Sequence, residues 1–144
     1  MGFQGPSSLS IDAKGRISVP ARHRDELQTK CEGKLTLTRH PEGCLLLYPR
    51  ATWEIKRNEI EAYPPEARPL KRLLLGNAVD VDIDASGRIL IPPELRTAAK
   101  LDKDAELRGM GAYFELWDAA LLAQREAKDL ESGEMLRLAN NYLI

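Results

Sequence analysis

Two ten-residue stretches of this 144-residue chain are nearly the same. The first, IDAKGRISVP, begins at Ile11, and the second, IDASGRILIP, begins at Ile83, 72 positions further along. Residues 9–24 and 81–96 align without a gap and are identical at eight of sixteen positions. The segments that follow also correspond, since each runs from an apolar stretch through an aromatic residue into helical sequence. The chain is therefore a tandem duplication, and its fold has to accommodate two copies of one unit.

Each copy begins with apolar residues at every second position, on both sides of the repeated Asp-Ala-x-Gly. Alternation with a period of two indicates half-buried β-strands. An Asp side chain accepts hydrogen bonds from the backbone N–H groups that follow it, and Gly adopts the positive φ that closes a tight turn. We therefore predict turns formed by Asp12 and Gly15 in the first copy and by Asp84 and Gly87 in the second.

Further along each copy, the pattern predicts a short helix and two more strands. The second strand ends at Pro20 in one copy and at Pro92 in the other, because proline cannot donate to a sheet ladder. A unit of about 50 residues is too small for a stable core of its own, whereas two units that pair their strands share one. We therefore predict an α+β fold, mainly β, of two tandem β-β-helix-β-β repeats with flanking helices.

The duplication also suggests how the chain is divided. We place a first repeat at residues 1–62, a helical connector at 63–78, a second repeat at 79–132 and a C-terminal helix at 133–144. The stretches 66–75 and 134–144 both end in strongly apolar patches. These patches either pack on the sheet or form contacts between subunits.

Composition excludes several classes of protein. Hydrophobic residues make up 43% of the chain and charged residues 30%, as in ordinary globular proteins, and no apolar run approaches the roughly 18 residues of a membrane helix. No secretory signal pattern is visible at the N-terminus. Cys31 and Cys44 form no CxxC pair, and no catalytic motif occurs. We expect a cytoplasmic protein that is not an enzyme, needs no cofactor or metal and binds no membrane.

The net charge of −1 is unevenly distributed. Residues 1–60 carry a net charge of +3 and residues 61–144 one of −4. Between Ala13 and Arg24 four basic residues occur without an acidic residue among them: Lys14, Arg16, Arg22 and Arg24. Such a run is either a solvated face or a surface for an anionic partner.

The repeated motif resembles a known signature. DAKGRISVP with its following Arg24, and DASGRILIPPELR, are similar to the Asp-x-x-Gly-Arg-(x)3-Pro-(x)3-Arg pattern of the AbrB/SpoVT-type swapped-hairpin DNA-binding proteins. Two copies in a chain of this length, together with FQGPSSLSID near the start and LLGNAVDVDID in the middle, resemble the MraZ family. The likeness covers essentially the whole chain.

This resemblance implies a fold, an assembly and a function. The two repeats would form an intramolecular swapped-hairpin, double-psi-like β-barrel, and subunits would assemble into a homo-oligomeric ring. The ring would bind double-stranded DNA at direct repeats upstream of the division and cell-wall gene cluster and act as a transcriptional regulator, usually a repressor, in the cytoplasm and on the nucleoid. DNA binding would come from Lys14, Arg16 and Arg88, and Ser86 stands where the first copy has Lys14.

The basic residues have different expected roles. Arg16 alternates away from the apolar positions and suits guanine, which an Arg contacts in a bidentate way, whereas Lys14 suits a phosphate. Arg22 and Arg24 would flank them as further phosphate contacts. Arg24, like its counterpart in the second copy, is equally suited to an internal salt bridge, and Arg88 to packing against Asp84 or a neighbouring subunit.

A second hypothesis assigns the chain a protein partner. The swapped-hairpin fold also occurs in antitoxins, and a ring scaffold without DNA would need the same duplication. The helix-prone C-terminal sequence argues against a disordered toxin-binding tail. Loss of DNA affinity with rising salt distinguishes a regulator from a scaffold, because phosphate contacts weaken steeply with ionic strength.

Overall fold

The computed structural model describes residues 2–142, and the order of its elements repeats as the sequence does. The first half contains β1 (Phe3–Ser10), β2 (Arg16–Ser18), α1 (Ala21–Cys31), β3 (Lys34–Arg39), β4 (Leu45–Pro49) and α2 (Arg50–Glu61). A short 3-10 helix (Pro65–Ala67) and α3 (Arg68–Gly76) connect it to the second half. That half contains β5 (Val79–Asp82), β6 (Arg88–Leu90), α4 (Pro93–Ala98), β7 (Asp104–Gly111), β8 (Phe114–Asp118), α5 (Ala119–Glu131) and α6 (Glu134–Asn141).

The two halves exchange strands. A six-stranded antiparallel sheet has the order β1-β7-β8-β4-β3-β5, so that the first strand of each half pairs with a strand of the other half. A separate two-stranded ribbon consists of β2 and β6, again one from each half. Matching backbone bonds extend the exchange: Ile11 N–H donates to Lys103 O at 2.8 Å, and Ile83 N–H donates to Gly33 O at 2.9 Å. The halves are therefore interlocked and not merely packed side by side.

One apolar core is shared by both halves. It contains Ile17 and Ile89 from the ribbon together with Leu37 and Leu116 from the large sheet, all of them almost completely buried. The ribbon therefore packs on one face of the six-stranded sheet. This burial explains the duplication physically, because neither half has enough apolar surface to form a core alone.

The structure confirms the predicted α+β class, mainly β and built from two repeats. The strand ladders of residues 2–142 form two sheets around the core, and no continuous closed barrel is found among them. The ribbon strands are only three residues long, because Pro20 and Pro92 follow soon after them.

Helices cover the other face of the large sheet. Trp53 and Ile60 of α2, Leu74 of α3 and Leu122 of α5 form a second apolar cluster with residues of β4 and β8. The helix α1 has 11 residues, longer than the short helix that the pattern predicts, and ends where Glu32 adopts a left-handed conformation. Within residues 2–142 no helix is both long and apolar enough to cross a membrane. The predicted C-terminal helix extends over residues 143 and 144, which lie outside the described residues.

Candidate nucleic-acid interface

The turn between β1 and β2 is organised by one carboxylate. The side chain of Asp12 accepts hydrogen bonds from the backbone N–H groups of Lys14 at 3.0 Å and of Arg16 at 2.8 Å. Gly15 N–H donates to the backbone oxygen of Asp12 at 2.9 Å, and Gly15 has a φ of +85°. The hydrogen bond from the Arg16 backbone is the main cause that lowers the pKa of Asp12. The carboxylate is therefore ionised at neutral pH and holds the turn.

The turn between β5 and β6 repeats this geometry. Asp84 accepts hydrogen bonds from the backbone N–H groups of Ser86 and Arg88, both at 2.9 Å. Gly87 N–H donates to the backbone oxygen of Asp84 at 2.9 Å, and Gly87 has a φ of +79°. The pKa of Asp84 is lowered, chiefly by the hydrogen bond from the Arg88 backbone. Both turns thus place a residue with a free side chain, Lys14 or Ser86, at an exposed tip.

Arg24 lies against the turn of the other half. Its Nη2 and Nε atoms donate to the backbone oxygen of Val19 at 2.7 and 3.2 Å. A Cβ atom added at Gly87 would lie only 2.6 Å from Arg24 Nε. The guanidinium therefore occupies the space that the missing side chain of Gly87 leaves open. From the sequence, Arg24 was equally suited to a DNA contact and to an internal salt bridge. In the structure it has an internal partner, but that partner is a backbone carbonyl and not a carboxylate.

Arg96 makes the reciprocal contact. Its Nε atom donates to the backbone oxygen of Ile91 at 2.9 Å, and a Cβ atom added at Gly15 would lie 2.4 Å from Arg96 Cζ. Each turn is thus covered by the arginine of the opposite half. The repeated Gly and the repeated Arg of this motif therefore contact each other twice, each time between the two halves.

The ribbon presents both motif arginines on one exposed face. Arg16 pairs with Leu90 and Ser18 pairs with Arg88 in the antiparallel register. The middle residue of each strand, Ile17 or Ile89, points into the core. Arg16 and Arg88 are therefore diagonal neighbours, a relation that separates Cβ atoms by about 7 Å. Arg16 also contributes to the lowered pKa of Asp84, as expected for a cation close to the second turn.

The two arginines are held differently. Arg16 Nε donates to Asp12 Oδ2 at 2.8 Å, whereas Arg88 Nε lies 3.6 Å from Asp84 Oδ2 and is buried without a hydrogen-bond partner among the described residues. Their side chains are 26% and 32% exposed. Arg16 is therefore oriented in advance by its own turn, and Arg88 has more freedom.

Arg22 is exposed at the edge of this region. Its Nη2 atom donates to Ser7 Oγ at 2.7 Å and also contacts the backbone oxygen of Pro6. These bonds fasten α1 to β1. The residue at the same position of the second copy is Glu94, so this contact belongs to the first half alone. The structure thus brings Arg16 and Arg88 to one face of the ribbon, leaves Lys14 exposed at the tip of the first turn and places Arg22 beside β1.

The chain is similar to known proteins over most of its length. A family model described as "MraZ protein, putative antitoxin-like" matches residues 3–73 and again residues 74–137. A protein of Bordetella pertussis named transcriptional regulator MraZ is 66% identical over 131 residues, which cover 91% of this chain and 92% of that protein. The chain belongs to the MraZ family.

Other MraZ relatives agree in name and extent. The transcriptional regulator MraZ of Herminiimonas arsenicoxydans is 59% identical over 91% of this chain and 92% of its own length. That of Cupriavidus taiwanensis is 55% identical over 96% and 97%. The resemblance inferred from the duplicated motif is confirmed. The relatives carry the names of regulators and not of enzymes, in agreement with the predicted non-enzymatic role.

One ion cluster of this MraZ chain was not predicted from its sequence. Arg50 Nη2 donates to Asp82 Oδ1 at 2.8 Å and to the backbone oxygens of Leu35 at 2.9 Å and Val81 at 3.1 Å. It thereby ties β5 of the second half to β3 of the first. The acidic residues Asp80 and Asp82 of β5 were the available signal, since Arg50 pairs with both of them. Ala119 follows β8 where Arg50 follows β4, so the cluster occurs once.

Proposed function

We propose that this chain is a sequence-specific DNA-binding transcriptional regulator that acts through the exposed face of its β2–β6 ribbon. The observation that carries the proposal is the placement of Arg16 and Arg88 on that one face. A two-stranded antiparallel ribbon fits the major groove of B-DNA, and an Arg there bonds guanine O6 and N7 in a bidentate way. The relatives named transcriptional regulators support the same role.

Some of the basic residues contact DNA bases and others contact phosphates. Arg16 and Arg88 contact base edges, and Lys14 at the tip of the first turn contacts a phosphate. The shared face favours base contacts from both halves and not from the first half alone. Arg24 supports the second turn from inside, and Arg22 combines its bond to β1 with a position at the rim from which a phosphate contact is possible.

Assembly into a ring allows the small ribbon face of each subunit to contribute to tight DNA binding. One subunit has a net charge of −1 and few basic contacts, so its binding alone is weak. Subunits of one ring that contact successive DNA repeats turn later contacts into intramolecular ones, which raises affinity by a factor of about 10² to 10⁴ when the spacing fits. The two turns differ at Lys14 and Ser86, so each subunit faces DNA in one direction. That polarity suits direct repeats upstream of the gene cluster, where the ring acts as a repressor on the nucleoid.

Fluorescence anisotropy tests this function. Labelled duplex from the region upstream of this gene is compared with scrambled duplex at two salt concentrations, with wild type, Arg16→Ala, Arg88→Ala and the control Arg57→Ala. Among residues 2–142, Arg57 of α2 forms ion pairs only with acids of its own helix. Each ribbon variant should lose between about 5- and 150-fold in affinity for the upstream duplex, the value of one bidentate base contact. No preference for the upstream duplex at either salt, or equal losses in the control, would contradict the function.

A protein partner is the second candidate, and a different surface favours it. Helix α6 exposes Met135, Leu136 and Leu138, and Tyr142 follows with 78% exposure. Such an apolar strip on a surface helix is typical of a contact with another chain. An antitoxin-like or scaffold role predicts that substitutions in this strip abolish binding to the other protein chain. It also predicts that the chain has no DNA affinity even at low salt. Light scattering together with the anisotropy titration separates the two candidates.

A further inference from the structure

Leu90 is an exposed apolar residue in the middle of a polar face. Its side chain is 50% exposed, although it belongs to a strand whose neighbouring residue Ile89 is almost fully buried. It belongs to neither of the two apolar clusters of the described residues. The pairing register places it directly opposite Arg16. Packing within the chain therefore gives no reason for an apolar side chain here.

The first half has a different residue at the matching position. Ser18 corresponds to Leu90, and Ser18 lies opposite Arg88. The exposed ribbon face is thus made of two cross-strand pairs, Arg16 with Leu90 and Ser18 with Arg88. A face of this composition contains two groups for hydrogen bonding to base edges, one small hydroxyl and one apolar surface.

We propose that Leu90 contacts the 5-methyl group of a thymine one or two base steps from the guanine that Arg16 contacts. The thymine methyl is the apolar group that base pairs offer in the major groove, and apolar side chains recognise it. Directly opposite residues of an antiparallel pair have Cβ atoms about 5 Å apart, and successive bases of one strand are about 3.4 Å apart. The thymine therefore lies one or two steps from that guanine. This inference rests on the proposed DNA-binding function and assigns a specificity residue within it.

Leu90 also makes the two strands of the ribbon unequal. With Ser at both matching positions, the exposed face would be nearly symmetric and would suit either orientation on DNA. An apolar contact on one side only gives the recognised sequence a direction. The proposal therefore supplies a residue-level reason why one repeat of the recognised sequence is distinguished from its inverse.

Deoxyuridine substitution tests the contact, because uracil lacks only the methyl group of thymine. In the upstream duplex, each thymine is replaced in turn, and anisotropy is measured with wild type, Leu90→Ala, Leu90→Ser and the control Leu130→Ala, an exposed leucine of α5. Wild type and the control should lose about three- to fivefold at one thymine of the repeat, the effect of burying a single methyl group. Both Leu90 variants should bind thymine and uracil duplexes equally at that position.

The possible results separate this inference from the function beneath it. If wild type prefers the upstream duplex but no thymine position matters, or if Leu90→Ala keeps the same loss, the contact is wrong and the function stands. If Leu90→Ala changes the molar mass in light scattering and leaves the thymine dependence intact, Leu90 serves contacts between copies and the proposal is overturned. If wild type shows no preference for the upstream duplex, both fail together.

Discussion

The two turns of the duplicated motif have the same backbone and different surfaces. In each, an aspartate accepts two backbone N–H groups and a glycine has a positive φ. At the tip, however, the first turn has Lys14 and the second has Ser86. The side chains of the arginines that follow also differ. Arg16 Nε donates to Asp12 Oδ2 at 2.8 Å, whereas Arg88 Nε lies 3.6 Å from Asp84 Oδ2.

This comparison separates two kinds of constraint. Gly15 and Gly87, which are the same in both turns, are contacted by the opposite half, because Arg96 covers Gly15 and Arg24 covers Gly87. The tip residues that differ, Lys14 and Ser86, are exposed to solvent. The contact between the halves therefore requires the two glycines and leaves the choice of tip residue open.

The largest expected effect comes from adding a methyl group to either turn. Gly15→Ala places an L-residue at positive φ and pushes against Arg96, and Gly87→Ala does the same against Arg24. Left-handed backbone costs an alanine about 1–2 kcal/mol, and displacing the arginine hydrogen bond costs about 1 kcal/mol more. Each variant should therefore lower the free energy of unfolding by about 2–3 kcal/mol, as measured by urea denaturation.

Gly43→Ala is the matched control for these two variants. Gly43 also has a positive φ, of +105°, but apart from its two chain neighbours no described residue has an atom within 4 Å of a Cβ added there. It should show only the backbone part of the cost, about 1–2 kcal/mol. If Gly15→Ala and Gly87→Ala lose no more stability than Gly43→Ala, the arginines do not press on the turns as described.

The second prediction asks which arginine covers which turn. Arg96→Ala and Arg24→Ala should each cost about 1–2 kcal/mol of unfolding free energy, from lost hydrogen bonds and lost packing of the stem. In double variants, Arg96→Ala should relieve part of the loss caused by Gly15→Ala and none of that caused by Gly87→Ala. Arg24→Ala should do the reverse. We expect a coupling of about 1 kcal/mol for the two crossed pairs, and equal coupling within and between halves would refute the reciprocal contact.

Most of the fold follows from the sequence, because alternation and turn chemistry are local. The four strands of each copy, the two Asp-Gly turns and the helices α2 and α5 lie where the residues predict them. The contact of Arg24 with Gly87 joins residues 63 positions apart and depends on which strands exchange. No local pattern contains that information. The same reason applies to Arg22 and its bond to Ser7, since a helix residue and a strand residue meet only after the halves interlock.

A third, smaller effect concerns acid. The pKa of Asp12 and of Asp84 is lower in the folded chain than its ordinary value of 3.8, chiefly because backbone N–H groups of the turn donate to the ionised form. The unfolded chain therefore binds more protons just below that value, and the stabilising contribution present above pH 3.8 is lost as the pH falls through the folded pKa.

Asp12→Asn and Asp84→Asn should each flatten the decline of stability below pH 3.8. Asp12→Asn should also cost more at neutral pH, since it weakens the bond to Arg16 Nε. Urea midpoints between pH 3 and pH 7 measure both effects, and an unchanged slope in the double variant would contradict the assignment.

The smallest expected effect tests whether the difference at the tips matters for DNA. Lys14→Ser removes one phosphate contact from each contacting subunit, which reduces the slope of log affinity against log salt by about 0.9 per contact. Ser86→Lys should add a contact of the same size if the second tip also faces a phosphate. The double exchange, Lys14→Ser with Ser86→Lys, keeps the net charge of −1 and so removes the effect of overall charge on the comparison. Lys128→Ser, which changes a lysine of α5, is the control for charge alone. A double exchange that binds like wild type means that the two tips are equivalent toward DNA, and one that binds like Lys14→Ser means that the direction of the subunit on DNA is set partly by the first turn.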